Sequence, residues 1–247
     1  MRSKPARALL LAGGLGTRLL PYTAVLPKPL VPVGDEPVME TLLRQLASHG
    51  IRDITVSVGH LAALIETYFG DGARFGVAIT YQHESEPLGT AGPLRPLLAG
   101  LDPGDAILVV NGDLLTDMDF SAFIDAYEQR RPAIQVGAIR REERVQLGVL
   151  RLDDNDQVRG YDEKPLHTYH ASMGVYLVSA AAARWLPPAG RFDMPDLILA
   201  ALAAGESVAA WTHQGIWLDI GRPDDHRRAS ELVAENPLAF KGKVRAS

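Results

Sequence analysis

The stretch that decides the fold lies at residues 8–18 and reads Ala-Leu-Leu-Leu-Ala-Gly-Gly-Leu-Gly-Thr-Arg. The apolar run from Ala8 to Ala12 predicts a strand that is buried on both faces, as in a parallel sheet. The glycines that follow allow a sharp turn and let backbone amides approach an anion closely. Arg18 adds a guanidinium with a fixed fork of donors. Because open α/β sheets bind ligands at the carboxyl ends of their strands, this loop is a candidate phosphate site.

Two common phosphate motifs do not fit the loop. A dinucleotide fingerprint would need a small residue where Leu19 stands, and a P-loop would need Gly-Lys-Ser/Thr. A glycine loop alone is equally compatible with a tight turn that binds nothing. The chain then places Lys28 between Pro27 and Pro29, and the prolines stiffen the segment. A lysine held in this way loses little entropy when it binds an anion, although a plain surface lysine fits the pattern too.

Strand and helix patterns alternate through the first half of the chain, which predicts a Rossmann-like α/β fold with a mixed, mostly parallel sheet flanked by helices. The predicted strands are 8–12, 53–58, 77–81, 106–110 and 134–139, and the predicted helices are 38–49, 62–69, 91–99 and 120–130.

The second half is less regular. It predicts a hairpin of 148–152 and 157–161, a strand at 173–178, and helices at 180–186, 196–204 and 223–236. No internal repeat or low-complexity linker divides the chain, so we expect a single domain over residues 1–247.

Composition narrows the class of protein. The 247 residues are 47 % hydrophobic and 22 % charged, as in an ordinary globular protein. The net charge of −5, without a basic stripe, argues against nucleic acid or an anionic membrane as partner. The absence of cysteine excludes disulfides, zinc–cysteine sites and thiol chemistry. The first apolar run is too short for a signal peptide and no stretch reaches the ~18 apolar residues of a membrane span, so we expect a cytoplasmic protein.

The combined motif, Ala12-Gly13-Gly14-x-Gly16-Thr17-Arg18-Leu19 followed by Pro27-Lys28-Pro29, resembles the signature of sugar-1-phosphate nucleotidylyltransferases. The mannose-1-phosphate and heptose-1-phosphate guanylyltransferases are the members it is most similar to. The resemblance covers residues 6–235 and implies the nucleotide-diphospho-sugar transferase fold, with a nucleotide-binding half at 6–120 and an irregular sugar-phosphate-binding half at 121–235. Because the chain ends soon after Phe240, we do not expect the carboxyl-terminal hexapeptide-repeat domain that some members carry.

The resemblance implies a nucleotide site with three parts. The first is the triphosphate loop and the second is its two cations, Arg18 and Lys28. The third is a base-reading loop at Gly89 and Thr90, with Glu84 beside it. A carboxylate only accepts hydrogen bonds, so Glu84 fits the two adjacent donors of guanine, and also the single donor of uracil or thymine. We favour guanine. The loop residues implied in nucleotide binding are Leu11, Ala12, Gly13, Gly14, Gly16 and Thr17.

A magnesium site is expected at Asp113, which follows the most apolar strand in the sequence Asn111-Gly112-Asp113. A carboxylate there points into the ligand crevice and suits Mg²⁺ bridged to phosphates, although Asn-Gly-Asp is also good turn chemistry. By resemblance Asp219 is the second metal ligand, and a helix-capping role is the alternative. His167 and His170 lack a third ligand and do not make a metal site.

The sugar phosphate is implied to bind at Glu163 and Lys164, with Glu163 accepting sugar hydroxyls and Lys164 contacting both reacting phosphates. A solvated turn is the alternative for this pair. Ser172 departs from the asparagine that many members have there, which puts the sugar contacts in question. The implied sugar-phosphate residues are Asn111, Gly148, Glu163, Lys164 and Ser172, and the implied catalytic residues are Arg18, Lys28, Asp113 and Lys164.

The expected reaction joins a nucleoside triphosphate to a sugar 1-phosphate, with Mg²⁺ as cofactor and pyrophosphate as the second product. GTP with a mannose- or heptose-type 1-phosphate is the first choice. Uridylyl or thymidylyl transfer to a hexose 1-phosphate is an alternative, as is a non-sugar acceptor such as a phosphorylated alcohol or cyclitol. A silent sugar-nucleotide-binding regulatory subunit is a further alternative, and a homodimer is left open.

Overall fold

A computed structural model describes residues 7–14, 16–20, 22–236 and 239–240. Its strands are β1 (Arg7–Leu11), β2 (Pro32–Val33), β3 (Glu36–Pro37), β4 (Asp53–Val58), β5 (Ala78–His83), β6 (Ala106–Asn111), β7 (Leu114–Thr116), β8 (Ile134–Arg144), β9 (Gly148–Leu152), β10 (Val158–Glu163), β11 (Leu166–Ser179), β12 (Val208–His213) and β13 (Trp217–Asp219). Its α-helices are α1 (Val38–Ser48), α2 (Ala62–Phe69), α3 (Leu94–Ala99), α4 (Phe120–Arg130), α5 (Met194–Ala203) and α6 (Pro223–Glu235).

Seven strands form the central sheet in the order β12-β8-β11-β6-β1-β4-β5. β1 runs parallel to β4 and β6, β4 to β5, and β8 to β12, whereas β11 is antiparallel to both of its neighbours. The sheet is therefore mixed and mostly parallel, as the alternation of strands and helices predicts. Parallel pairing brings the carboxyl ends of β1, β4 and β6 to one edge.

Helices cover both faces of the sheet, and β1 shows why. Leu10 belongs to a core cluster with residues of α1, α2 and α4, such as Leu42 and Phe123. Leu9 belongs to a second cluster with residues of α3 and α5, such as Leu197. Successive side chains of a strand point to opposite faces, so a strand that is apolar at every position packs against helices on both sides.

Several boundaries differ from the sequence-based prediction for identifiable reasons. α3 begins at Leu94 and not at residue 91, because prolines at 93 and 96 suit only the first turn of a helix. The expected helix at 180–186 is a 3-10 segment, Ala180–Trp185. β8 and β11 run beyond the predicted 134–139 and 173–178, into a two-stranded ribbon whose side chains are largely exposed and polar. Such a ribbon carries no apolar run for the sequence to reveal.

Two short strands that the sequence did not predict support the region after β6. β7 and β13 pair antiparallel, with Leu114 opposite Asp219. The Trp217 indole donates to the Met173 carbonyl of β11 at 2.9 Å, and the Arg141 guanidinium lies over its ring at 5.3 Å. Trp217 therefore ties β13 to the long antiparallel strands. In the part of the chain that the structure describes, no helix is long and apolar enough to span a membrane.

We expect Trp217→Phe to lower the free energy of unfolding by about 1–3 kcal/mol, because the Met173 carbonyl would lose its indole donor. Urea denaturation of both proteins measures the difference. Trp185→Phe is the matched control, since Trp185 donates no hydrogen bond within the described residues. Equal losses for the two variants would show that ring size, and not the hydrogen bond, accounts for the effect.

Candidate active site

A crevice of about 540 Å³ opens at the carboxyl edge of the sheet. The structure brings all the residues predicted for nucleotide binding to its walls, together with Asn111 and Asp113. The residues that line it are Leu11, Ala12, Gly13, Gly14, Gly16, Thr17, Arg18, Lys28, Pro29, Glu84, Pro87, Gly89, Thr90, Asn111, Asp113, Arg191, Asp193 and Gly221. Its position agrees with the rule that ligands bind outside the carboxyl ends of parallel strands.

The glycine loop has a shape that larger residues would not permit. Gly16 adopts a left-handed conformation with φ +62°, and its carbonyl accepts a hydrogen bond from the Thr23 hydroxyl at 2.7 Å. A Cβ atom at Gly16 would lie 2.8 Å from the Thr23 methyl group. At Gly13 a Cβ atom would lie 2.8 Å from Oε1 of Glu84. The two glycines therefore allow the loop to fold closely against Thr23 on one side and Glu84 on the other.

Lys28 lines the crevice, and its ammonium group lies between two aspartates. Its ammonium group donates to Oδ2 of Asp113 and lies 3.3 Å from Oδ1 of Asp219. Only 12 % of the Lys28 side chain and 19 % of the Asp113 side chain are exposed, against 39 % for Asp219. Burial raises the pKa of Asp113, and the nearby Lys28 ammonium opposes that rise. Oδ1 of Asp113 is buried without a hydrogen-bond partner among the described residues.

Backbone pairing explains why these two carboxylates meet although 106 positions separate them (219 minus 113). The amide of Gly112 donates to the Leu11 carbonyl at 2.9 Å, which holds the turn after β6 against β1. The amide of Ile220 donates to the Asp113 carbonyl at 3.1 Å, next to the β7–β13 pair. Leu19 and Ile220 share a small buried cluster. That cluster anchors the turn carrying Arg18 beside the strand carrying Asp219.

Arg18 is an exposed cation of the crevice. A Cβ atom at Gly221 would lie 3.6 Å from the Arg18 guanidinium and 3.4 Å from Oδ1 of Asp219, so the two side chains lie close together. Arg18 has no hydrogen bond or ion pair with another residue in the described ranges. Its donors are therefore available to a ligand.

The sequence motifs are matched over nearly the whole chain by a family model described as nucleotidyl transferase, which covers residues 7–236. The chain belongs to the nucleotidyl transferase family. It is 33 % identical to a UTP–glucose-1-phosphate uridylyltransferase from Synechocystis, covering 94 % of this chain and 64 % of that protein. It is 34 % identical to a glucose-1-phosphate thymidylyltransferase from Streptomyces griseus, covering 93 % and 66 %. It is 30 % identical to a mannose-1-phosphate guanylyltransferase from Mycobacterium tuberculosis, covering 93 % and 65 %.

The chain spans a little under two thirds of the length of those curated relatives. Among solved structures it resembles a candidate glucose-1-phosphate thymidylyltransferase from Bacillus anthracis in complex with sucrose, with a TM-score of 0.74 and 25 % identity over 96 % of this chain and 99 % of the other. HddC from Yersinia pseudotuberculosis shares the fold, with a TM-score of 0.70 over 91 % of this chain and 98 % of the other.

The crevice and its neighbouring residues present a donor set that suits Mg²⁺. Within the described residues no group of three or more His, Cys, Asp or Glu side chains forms a closed metal cage. Mg²⁺ is commonly bound by one or two carboxylates together with substrate phosphates and water. Asp113 lies on the wall of the crevice, Asp219 contacts the same Lys28 ammonium, and Oδ1 of Asp113 has no hydrogen-bond partner among the described residues. The residues therefore fit a magnesium ion whose remaining ligands come from the substrates and water.

A hydrogen-bonded group of Thr90, Arg191, Asp193 and Met194, called the clasp below, was not predicted from the sequence. Gly89, with φ +77°, packs against Asp193, whose Oδ1 accepts the Thr90 amide at 2.9 Å. The Thr90 hydroxyl in turn accepts the Met194 amide at 2.7 Å. The Arg191 guanidinium binds the other Asp193 oxygen at 3.1 Å and lines the crevice as a third cation. An aspartate before Met194-Pro195 is a helix-start signal, and it would have placed α5 two residues earlier than we expected.

The predicted sugar-phosphate residues lie outside that crevice, apart from Asn111. Glu163 and Lys164 end the β9–β10 hairpin, and the Lys164 ammonium lies 3.8 Å from the Glu163 carboxylate with both side chains more than half exposed. The hydroxyl of Tyr161 lies in the space that a side chain at position 148 would occupy, so Tyr161 covers Gly148. The Ser172 hydroxyl lies 3.0 Å from that of Tyr176. The roles of these residues stay predictions.

We expect Lys28→Met to lower the free energy of unfolding by on the order of 3 kcal/mol without Mg²⁺, because two carboxylates would lose their shared cation. Millimolar Mg²⁺ should raise the melting temperature of the variant more than that of the wild type. Thermal denaturation with and without Mg²⁺ measures both effects.

Lys164→Met is the control for this measurement, because Lys164 is exposed and should affect stability by less than about 0.5 kcal/mol. If Mg²⁺ stabilised the Lys28→Met variant no more than the wild type, Asp113 and Asp219 would not be a cation site.

Proposed function

We propose that this protein transfers a nucleoside monophosphate from a nucleoside triphosphate to a sugar 1-phosphate, with Mg²⁺ as cofactor, and releases pyrophosphate. The observation that carries the proposal is the placement of Lys28 between Asp113 and Asp219 in a crevice bounded by the glycine loop. This arrangement concentrates cations and a magnesium-binding pair where phosphates would enter. The names of its relatives support the same class of reaction.

The chemistry requires no nucleophile from the protein. An oxygen of the sugar 1-phosphate attacks the α-phosphorus, and the bond from that phosphorus to the β-bridging oxygen breaks. Pyrophosphate leaves with the bonding electrons, and because the attacking phosphate is already ionised, no general base is needed. Catalysis then consists of positioning and charge neutralisation.

Each basic residue of the crevice has a place in this scheme. The exposed Arg18 and the adjacent glycine-loop amides bind the β- and γ-phosphates, which become the leaving pyrophosphate. Lys28 neutralises charge that develops on the same group. Bound Mg²⁺ held by Asp113 and Asp219 would polarise phosphate oxygens. Arg191, which is paired with Asp193, lines the same crevice.

Lys164 is assigned to the second substrate. Lys164 lies on the hairpin outside the crevice. Its own backbone is left-handed, with φ +46°, and turns the chain from β10 towards β11. There it would bind the sugar phosphate and draw it towards the α-phosphate, while Glu163 would accept sugar hydroxyls. We assign residues 6–120 to nucleotide binding and residues 121–235 to sugar-phosphate binding, with Asp219 and the Arg191–Asp193 clasp as contributions of the second half to the first.

We propose GTP with a mannose- or heptose-type 1-phosphate as the substrate pair, since a carboxylate at position 84 matches the two adjacent donors of guanine. UTP or dTTP with a hexose 1-phosphate is the alternative, and uridylyl and thymidylyl enzymes are both among the relatives. A silent regulatory subunit is disfavoured because Arg18, Lys28, Asp113, Lys164 and Asp219 are all present.

Pyrophosphate release from a matrix of common nucleoside triphosphates and sugar 1-phosphates tests the proposal. At least one pair should give magnesium-dependent turnover, and Asp113→Asn should lower it by at least ~100-fold, the range for losing one electrostatic stabiliser. Absence of turnover for every pair would refute the activity. Near-normal release by Asp113→Asn would refute the metal assignment alone.

We expect Lys164→Ala to raise KM for the sugar 1-phosphate, or to lower kcat, by about 10–100-fold while KM for the nucleoside triphosphate stays within about twofold, because the sugar phosphate would lose its proposed cation whereas the triphosphate keeps its contacts in the crevice. Steady-state kinetics with each substrate varied in turn measure the split. Arg159→Ala on the same hairpin is the control, since among the described residues Arg159 pairs only with Asp153 at the far end. Unchanged kinetics for Lys164→Ala would identify the residue as a solvated turn lysine.

A further inference from the structure

A fully buried hydroxyl lies directly beneath the candidate base-reading side chain. Ser57 is 0 % exposed on β4, and its hydroxyl donates to Oε1 of Glu84 at 2.6 Å. The amide of Leu88 donates to the other oxygen, Oε2, at 2.9 Å. Each carboxylate oxygen of Glu84 therefore already accepts one hydrogen bond from the protein.

The backbone around Glu84 is fixed as firmly as its side chain. The Glu84 amide donates to the Val58 carbonyl at 2.8 Å, and the Ala12 amide donates to the Ser57 carbonyl at 2.9 Å. A side chain at position 13 would collide with Oε1. Leu88 is itself tied to the clasp, because its carbonyl accepts the Phe192 amide at 2.9 Å. Glu84 thus sits in a slot made by the glycine loop, the end of β4 and the loop before α3.

This arrangement fixes what Glu84 offers to a ligand. A carboxylate oxygen accepts two hydrogen bonds, so each oxygen keeps one lone-pair site for the crevice. The ring N–H of guanine, uracil or thymine can donate to such a site, and guanine adds its exocyclic amine. Adenine and cytosine present a ring nitrogen with a lone pair at the corresponding position, which an ionised carboxylate repels.

We propose that Ser57 is a positioning residue that sets nucleotide specificity by holding Glu84 as an acceptor towards the crevice. The inference rests on the proposed function, because it concerns the nucleotide site of that reaction. Ser57 acts only through Glu84 and is too deeply buried to contact the base. Without the hydroxyl, Oε1 loses its donor, and the side chain is free to turn away from the orientation that selects a ring N–H.

The test compares the binding of GTP, UTP, dTTP, ATP and CTP to the full chain by isothermal titration calorimetry with Mg²⁺. Wild-type protein should prefer a base with a ring N–H over ATP and CTP. Ser57→Ala should reduce that preference about tenfold, the usual effect of losing one hydrogen bond to a charged group. An unchanged preference in a folded Ser57→Ala protein, or a wild-type preference for ATP or CTP, would overturn the proposal.

The matched control is Ser179→Ala, which removes a buried hydroxyl that has no hydrogen-bond partner among the described residues. It should leave the base preference unaltered. If Ser57→Ala does not fold, Ser57→Cys keeps the side-chain volume with a weaker donor, and it should lower the preference in the same direction.

A double-mutant comparison separates positioning from general loosening of the site. Ser57→Ala introduced into a Glu84→Ala protein should leave the base preference of that protein unchanged, because the acceptor through which Ser57 acts is gone. An equal drop in both backgrounds would show that Ser57 acts by another route. Selective binding without turnover by the wild type would count against the proposed reaction, whereas turnover with a Ser57-independent preference would count against this inference alone.

Discussion

The contact between Lys28 and the two aspartates is the interaction on which the rest of the site depends. Asp113 follows β6, the most deeply buried strand of the sheet, and Asp219 ends the short strand β13, far away in the sequence. Two carboxylates that both contact one ammonium group would repel each other if that cation were absent. Lys28 supplies that cation from within the protein. The same charge balance makes the place suitable for a metal ion and phosphates.

A protein of net charge −5 does not attract a polyphosphate by its overall field. It therefore needs local donors in a fixed arrangement. The glycine loop can present amides because Gly13 and Gly16 have no side chains to hold the backbone away, and Arg18 and Arg191 both line the crevice. The three cations that line the crevice, Arg18, Lys28 and Arg191, are matched there by three carboxylates, Glu84, Asp113 and Asp193. Binding of phosphates would therefore depend on where these donors are placed and not on an excess of positive charge.

Many of the residues proposed for nucleotide binding, and the elements around them, could be predicted because the sequence patterns that indicate them are local. An apolar strand followed by glycines describes its own environment, and α2 and α4 match their predicted limits residue for residue. The partners of Glu84 and Thr90 could not be predicted in this way. Asp193 reaches Thr90 across 103 positions, and nothing in the pattern around either residue points to the other. Ser57 reads simply as one small residue in an alternating strand.

For the residues proposed to bind the sugar phosphate, the secondary structure was predictable but the position of the side chains was not. The hairpin of β9 and β10 was predicted close to its true limits, yet its side chains lie apart from the crevice and are mostly exposed. A two-stranded hairpin has little core of its own, so its geometry depends on what packs against it. The residues proposed to bind the nucleotide instead follow strands buried on both faces, where neighbouring elements fix each position. The family signature lies in that part of the chain, which is why the sequence identifies the family far better than it indicates a sugar.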